Sequence, residues 1–203
     1  MPSVALVLYL AFLALAFGLR TLVQYRRTGS TGFHGLSGRP GSAEWWGGVL
    51  FVLSALLGLA GPLLQVTGVV DALGFLDATP VAVAGLVLAV AGIAGTLAAQ
   101  QTMGASWRVG VDQRETTELV TSGTFTVVRN PIFTTMTTAC LGLALLAPNP
   151  VALVGLAGLV TAIELQVRAV EEPYLLRTHG QSYRDYATRV GRFVPGLGRL
   201  ATR

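Results

Sequence analysis

The chain has 203 residues, of which 52% are hydrophobic and only 12% are charged, and its mean hydropathy is +0.63. A soluble globular domain carries about twice that charged fraction, so the composition excludes an ordinary soluble protein. All 14 basic residues are arginines. They flank long apolar runs, so anionic membrane lipids rather than nucleic acid are the expected partners.

Five apolar runs predict five membrane-spanning helices, at residues 4–24, 45–70, 79–101, 131–146 and 151–169. The first run has its positive charges after it, which distinguishes it from a signal peptide and predicts a retained helix. The fourth run is short and is expected to tilt. The sequence thus predicts an all-α integral membrane bundle that ends in a helical tail.

The arginines also predict the orientation of the chain. They occur at residues 20–39, 108–129 and 168–203, whereas the two opposite connections carry only Asp71 and Asp77, or no charge. The positive-inside bias places the N-terminus outside and the tail in the cytosol. Composition favours a bacterial source, and a helical bundle then belongs in the inner membrane. Residues 1–203 form one domain, with three spans in 1–101 and the chemistry expected in 102–203.

Four ionisable residues at the end of the fifth run form the strongest constellation. Glu164, Arg168, Glu171 and Glu172 fall at i, i+4, i+7 and i+8, and share one face of a continuous helix. An acid as deep as Glu164 suggests function, although an ion pair with Arg168 explains it equally well. For Arg168 with the two following acids, a functional role is the favoured interpretation.

The fourth span begins at the sequence Arg129-Asn130-Pro131-Ile132-Phe133. Pro131 suits a first helical turn, and Asn130 can cap it. A helix N-terminus that faces a cleft is a ready anion site. Considered alone, the motif is equally compatible with a plain helix start beside an interfacial arginine.

The tail is predicted to pause at His179-Gly180 and then continue as a short amphipathic helix. Tyr183, Tyr186 and Val190 share one face of that helix. It can serve as a lid over a site, as a surface anchor on anionic lipid, or as both.

Several site classes lack their sequence signatures. The chain has no GxGxxG after a strand, no P-loop and no HExxH, and its two histidines lie far apart. A single cysteine, Cys140, excludes an internal disulfide and a cysteine-based metal cluster. The sequence therefore predicts neither a Rossmann domain nor a metal site.

Taken together, the motifs of the second half resemble the isoprenylcysteine carboxyl methyltransferase and phospholipid methyltransferase family of membrane enzymes. They are Gly104-Ala105-Ser106-Trp107-Arg108, the segment 119–125, Arg129 to Phe133, Arg168, Glu171-Glu172, His179-Gly180, Tyr183, Tyr186, Val190 and Arg192-Phe193-Val194-Pro195. The family usually reads Arg-His-Pro-x-Tyr where this chain has Asn130 and Phe133. Asn130 cannot carry a proton near neutral pH, and Phe133 lacks a phenolic hydroxyl.

The resemblance implies S-adenosylmethionine as the methyl donor, bound at the cytosolic face, with S-adenosylhomocysteine as the product. Glu171 and Glu172 would hold its ammonium or ribose hydroxyls, and the helix start at Asn130, Pro131 and Phe133 its carboxylate. The aromatic rings of Tyr183 and Tyr186 would close over the adenine or the sulfonium.

The acceptor is expected to be small or lipidic. O-methylation of a carboxylate is the first choice by resemblance, with Arg168 or Arg129 to orient that carboxylate. The alternatives are N-methylation of an aminolipid, with Glu171 near the amine, and S-methylation of a small thiol. The alternative from another class is a non-enzymatic scaffold or transport accessory protein. Such a protein has no reason to bind the methyl donor.

Overall fold

The computed structural model describes residues 1–32, 38–104 and 118–201 of the chain. Within these ranges all the regular elements are helices, and no strand occurs among them. Most of the predicted Gly104–Arg108 motif lies outside the described residues. The helices are α1 Pro2–Thr28, α2 Ala43–Val66, α3 Thr79–Met103, α4 Pro131–Leu146, α5 Pro150–Leu165 and α6 Glu172–Arg189.

The predicted membrane-spanning helices are all present. Four helical segments are long and apolar enough to cross a membrane, and α4 is a shorter apolar helix of 16 residues. At 1.5 Å per residue α4 is about 24 Å long, less than the ~30 Å of a hydrocarbon core. The all-helical membrane bundle is confirmed, and α4 is the short span that the sequence predicts.

The helix ends follow from local sequence signals. The hydroxyl of Ser42 accepts a bond from the Trp45 amide at the start of α2, and Asn149 Oδ1 accepts from the Ala152 amide at the start of α5. Pro131 and Pro150 occupy first-turn positions, where a missing N–H costs nothing. Gly29, with φ of 74°, ends α1 in a left-handed conformation that glycine adopts without strain.

Two helix pairs form most of the bundle: α3 packs along α4, and α2 packs along α5. Helix α1 packs against α2 and α4. Glycine permits the close approach of α3 and α4: a Cβ atom on Gly92 would clash with the backbone of Ala139. The Thr96 hydroxyl lies 3.1 Å from that of Thr135. Gly92 and Thr96 therefore lie in the interface between α3 and α4, and Ala91 faces outward.

Two π turns interrupt the helices, at Ala14–Leu19 inside α1 and at Gln166–Glu171 between α5 and α6. The helical segment Pro150–Arg189 has 40 residues, about 60 Å, twice what a membrane core requires. The α6 portion therefore continues beyond the membrane. Gly180 breaks its helical geometry with φ of 51° and ψ of −119°, at the predicted pause, and the helix then resumes to Arg189.

Candidate active site

A cavity of about 630 Å³ runs lengthwise through the bundle. We call the end of the bundle where α3 finishes and α4 begins the basic end, and there the cavity has a polar mouth. Its size lies within the range of ~300–1,000 Å³ that is usual for ligand pockets. The polar residues that line the mouth are Glu44, Gln100, Glu118, Arg129, Asn130, Glu171, Glu172, Tyr183 and Tyr186.

Deeper in the bundle the cavity becomes an apolar arm. It is lined there by Phe12, Phe17, Phe51, Met136, Leu143, Leu159 and Ile163. Several of these belong to one buried hydrophobic cluster that joins α1, α4 and α5. The cavity therefore offers a polar end and an apolar end in one continuous space.

A buried ion cluster stands at the mouth. The Glu172 carboxylate accepts bonds from Arg129 Nη2 at 2.6 Å and from Arg192 Nε and Nη2 at 2.7 and 2.8 Å. The side chains of Arg129 and Glu172 are only 2% and 11% exposed. Burial alone would raise the pKa of Glu172, but the two arginines outweigh it and hold that pKa below its ordinary value. We call these three residues the Glu172 cluster.

Arg129 also binds the backbone of the tail. Its guanidinium donates to the carbonyls of Ala187 at 3.0 Å, Val190 at 2.7 Å and Gly198 at 3.1 Å. Two of these residues lie at the end of α6, where carbonyls lack helical partners. The predicted catalytic Arg129 thus lines the cavity, but its Nη atoms hold the tail against the start of α4.

The start of α4 is tied to the tail through backbone bonds as well. The amides of Arg129 and Asn130 donate to the carbonyls of Gly191 and Arg192 at 2.8 and 3.1 Å. The Asn130 side chain also donates to the Arg192 carbonyl, at 3.1 Å, and so does not cap α4 as the sequence predicts. Ile132 and Phe133 lie in the first turn of α4 and line the cavity. The side chain of the N-cap residue Asn130 bonds neither of their backbone amides.

Tyr183 and Tyr186 form an aromatic wall on α6. Their ring centroids lie 6.3 Å apart in an edge-to-face arrangement, and Tyr186 donates its hydroxyl hydrogen to the Phe125 carbonyl at 2.6 Å. Burial raises the pKa of both tyrosines to about 12, so both phenols are neutral near pH 7. The predicted amphipathic face therefore turns inward and closes the mouth of the cavity.

The four residues of the predicted face, Glu164, Arg168, Glu171 and Glu172, are divided between the surface of the bundle and the mouth of the cavity. Arg168 pairs with Glu164 at the surface of the bundle, where its side chain is 59% exposed, and it does not line the cavity. Glu172 is buried in its cluster, and Glu171 lines the mouth. The π turn Gln166–Glu171 contains both Arg168 and Glu171, and it changes the α-helical spacing on which the prediction rested.

The structure adds residues to which the sequence analysis gave no role. Gln100, Glu44 and Glu118 line the mouth from α3, from the start of α2 and from the segment before α4. Arg192 completes the Glu172 cluster. Its place in the Arg192-Phe193-Val194-Pro195 motif was a usable signal, whereas Gln100 had only its polarity at the end of an apolar run.

The described residues contain no group of three or more potential metal ligands. The comparison with protein families identifies the class of this helical membrane bundle, which is a membrane methyltransferase. The profile of the phospholipid methyltransferase family matches residues 81–182. The chain belongs to this family.

The fold has a solved counterpart. A eukaryotic intramembrane isoprenylcysteine carboxyl methyltransferase, a Ras methyltransferase, superposes with a TM-score of 0.65 at 19% sequence identity. The match covers 95% of this chain and 67% of that one. No curated protein matches the sequence. At this identity the structural likeness establishes a shared fold, and the acceptor has to be argued from the cavity.

Proposed function

We propose that the protein transfers a methyl group from S-adenosylmethionine to an acceptor that carries an apolar tail. The observation that carries this proposal is the single cavity of about 630 Å³ that joins a polar mouth to an apolar arm. Two ligands can meet in such a space, one polar at the mouth and one with its tail among Phe12, Met136 and Leu159. Positioning of this kind supplies most of the rate in an in-line displacement.

The residues of the mouth fit the methyl donor. When bound, S-adenosylmethionine supplies an electrophilic methyl group on a sulfonium. Glu171 lies where it can hold the ammonium or ribose hydroxyls, and the first-turn amides of Ile132 and Phe133 can hold the carboxylate. Tyr183 and Tyr186 provide aromatic rings for the adenine or the sulfonium. The Glu172 cluster fixes these elements relative to one another.

The charges of the mouth favour an amine acceptor. Among the described residues, the cavity is lined by the four carboxylates of Glu44, Glu118, Glu171 and Glu172, and by one arginine, Arg129. Neither arginine proposed for a carboxylate acceptor is placed for it: Arg129 holds Glu172 and the tail, and Arg168 lies outside the cavity. An amine acceptor must lose a proton before it attacks, and a lining carboxylate can accept that proton. N-methylation of an aminolipid is thus the function that the geometry supports best.

O-methylation of a lipidic carboxylate is the second candidate, because the shared fold includes an isoprenylcysteine carboxyl methyltransferase. Arg108 and Arg114, which lie outside the described residues, are the further arginines that it would recruit. A small thiol would leave the apolar arm empty, which disfavours S-methylation. We place the basic end in the cytosol and the N-terminus outside, because the arginines cluster at the basic end. The composition and the helical bundle favour a bacterial inner membrane.

Calorimetry on detergent-purified protein tests the proposal. Wild type should bind S-adenosylmethionine and S-adenosylhomocysteine saturably, and Glu171→Gln should weaken both by about tenfold. Glu164→Gln is the matched control, because Glu164 lies outside the main cavity, and it should retain wild-type affinity. Failure of well-folded wild type to bind either compound would contradict the proposal and favour a scaffold. Turnover with phosphatidylethanolamine against farnesylcysteine then separates the amine from the carboxylate acceptor.

A further inference from the structure

Gln100 is a buried side chain with an unused hydrogen-bond acceptor. It lies near the end of α3, is 2% exposed, and lines the cavity. Its Nε2 atom donates to the Ala16 carbonyl at 2.9 Å. Its Oε1 atom is buried and has no hydrogen-bond partner among the residues that the structure describes. A buried acceptor without a partner carries a desolvation penalty, which a hydrogen bond from a ligand in the cavity would remove.

The orientation of the Gln100 amide is fixed by chemistry. Ala16 lies in the π turn of α1 and offers a carbonyl oxygen, to which the NH₂ group of Gln100 can donate and the amide oxygen of Gln100 cannot. A flipped amide would place two oxygens against each other. Oε1 is therefore the atom left for the ligand, and it can only accept a hydrogen bond.

The level of Gln100 in the bundle indicates which ligand it meets. Thr96, one turn earlier on α3, lies beside Thr135 of α4, so Gln100 lies level with the start of α4. Its bonding partner Ala16 belongs to the apolar cluster of Phe12, Met136 and Ile163. Gln100 therefore stands where the polar mouth meets the apolar arm, which is where the headgroup of a tailed acceptor has to lie.

We propose that Gln100 Oε1 accepts a hydrogen bond from an N–H group in the headgroup of the acceptor, and that Gln100 thereby positions the acceptor and determines specificity. This inference rests on the proposed function. It narrows the acceptor class to amines that still carry hydrogen, because an ionised carboxylate has no hydrogen to donate. A quaternary ammonium product has none either, so it loses this bond and leaves the site more readily than the substrate.

Two probes with the same tail test the role of the N–H group. Dodecylammonium and dodecyltrimethylammonium both carry a positive charge and an apolar chain, but only the first donates hydrogen bonds. We would measure their affinities for protein in lipid nanodiscs, corrected by empty nanodiscs. Wild type should prefer dodecylammonium by about tenfold, which is typical of one hydrogen bond to a charged donor.

Three variants assign that preference to Gln100. Gln100→Leu removes the acceptor atom and should bring the ratio of the two affinities close to one. Gln100→Met removes both polar atoms but keeps the length of the side chain, so it should also bring the ratio close to one and serves as the test if Gln100→Leu fails to fold. Gln101→Leu, the exposed neighbour on α3, is the matched control and should behave as wild type.

The outcomes separate this inference from the proposed function. An unchanged preference in folded Gln100→Leu, or no preference in wild type, would overturn the role of Gln100 while cofactor binding stays intact. Gln100→Leu could instead weaken S-adenosylmethionine binding and leave the ratio of the two probe affinities unchanged. That result would also overturn the role of Gln100, because the N–H group bound by Gln100 would then belong to the cofactor. Absence of cofactor binding in wild type would instead refute the proposed function.

Discussion

The chain carries two acid–arginine groups on successive parts of the same helical segment, and their surroundings differ. Glu164 pairs with Arg168 at the surface, where the two side chains are 39% and 59% exposed. Eight positions later Glu172 binds Arg129 and Arg192, and there Arg129 is 2% exposed. The first pair is local, at i and i+4, whereas the second joins three distant parts of the chain.

The difference shows that the spacing of charges does not by itself define a functional site. Local pairs at the surface contribute little to stability, because they lose side-chain freedom and remain solvated. A buried cluster is different: its charges were removed from water, so each partner needs the others. The Glu172 cluster connects the start of α4 with α6 and the tail, and these elements form the mouth of the cavity.

Breaking the Glu172 cluster should have the largest effect. Glu172→Gln leaves Arg129 and Arg192 without a counter-charge, and should lower the free energy of unfolding by about 3–5 kcal/mol. Glu164→Gln should lower it by about 1 kcal/mol or less. Titration of detergent-solubilised protein with a denaturing detergent measures both. Equal losses in the two variants would mean that the two groups do not differ as the structure shows.

Lowering the pH should also distinguish the Glu172 cluster from the pair of Glu164 and Arg168. Because Glu172 has a lowered pKa in the folded protein, its contribution is fully present above the unfolded value of about 4.3 and is lost as the pH falls through the lowered folded value. Wild type should thus lose more stability than Glu172→Gln between pH 5 and about 2. Unfolding midpoints across that range measure the loss. Glu164→Gln retains the cluster, so its acid profile should follow that of wild type.

The fold was largely predictable because one physical constraint dominates it. A chain segment in lipid must satisfy its own backbone hydrogen bonds, so apolar runs become helices, and their bounds follow from caps and prolines. The predicted 79–101 became Thr79–Met103, and the predicted 131–146 became Pro131–Leu146. The π turns were not predictable, because one extra residue in a helical turn leaves no mark on hydropathy.

The site was predictable only as a list of residues. Glu171, Glu172, Tyr183 and Tyr186 do line one cavity, as their shared origin in the motifs of the second half implies. Their partners were not predictable, since the bonds from Arg129 to Glu172 and to Gly198 join residues 43 and 69 positions apart. Helical spacing gives no information about such contacts. It grouped Arg168 with the acids of the cavity mouth, whereas Arg168 pairs with Glu164 at the surface.

Arg168→Ala tests the exposed member of the comparison. The sequence analysis assigned Arg168 a catalytic role, in which case the variant should impair transfer more than binding. From its position outside the cavity we expect changes below about twofold in both cofactor affinity and turnover. Arg177→Ala removes an exposed arginine of α6 and is the control. A tenfold loss of turnover with intact cofactor affinity would restore the catalytic role and place Arg168 within reach of the acceptor.

Replacement of Asn130 should have a small effect on stability, because the Arg192 carbonyl that accepts its side-chain bond also accepts a second bond. The Arg192 carbonyl accepts from both the backbone amide and the Nδ2 atom of Asn130, each at 3.1 Å. Asn130→His keeps a side-chain donor and should stay within about 1 kcal/mol of wild type, and Asn130→Leu should lose about 0.5–1.5 kcal/mol. If residue 130 only positions the tail, Asn130→His also leaves the pH dependence of turnover unchanged. A new inflection near pH 6.5, the ordinary range of an imidazole, would show instead that a histidine here exchanges protons during the reaction.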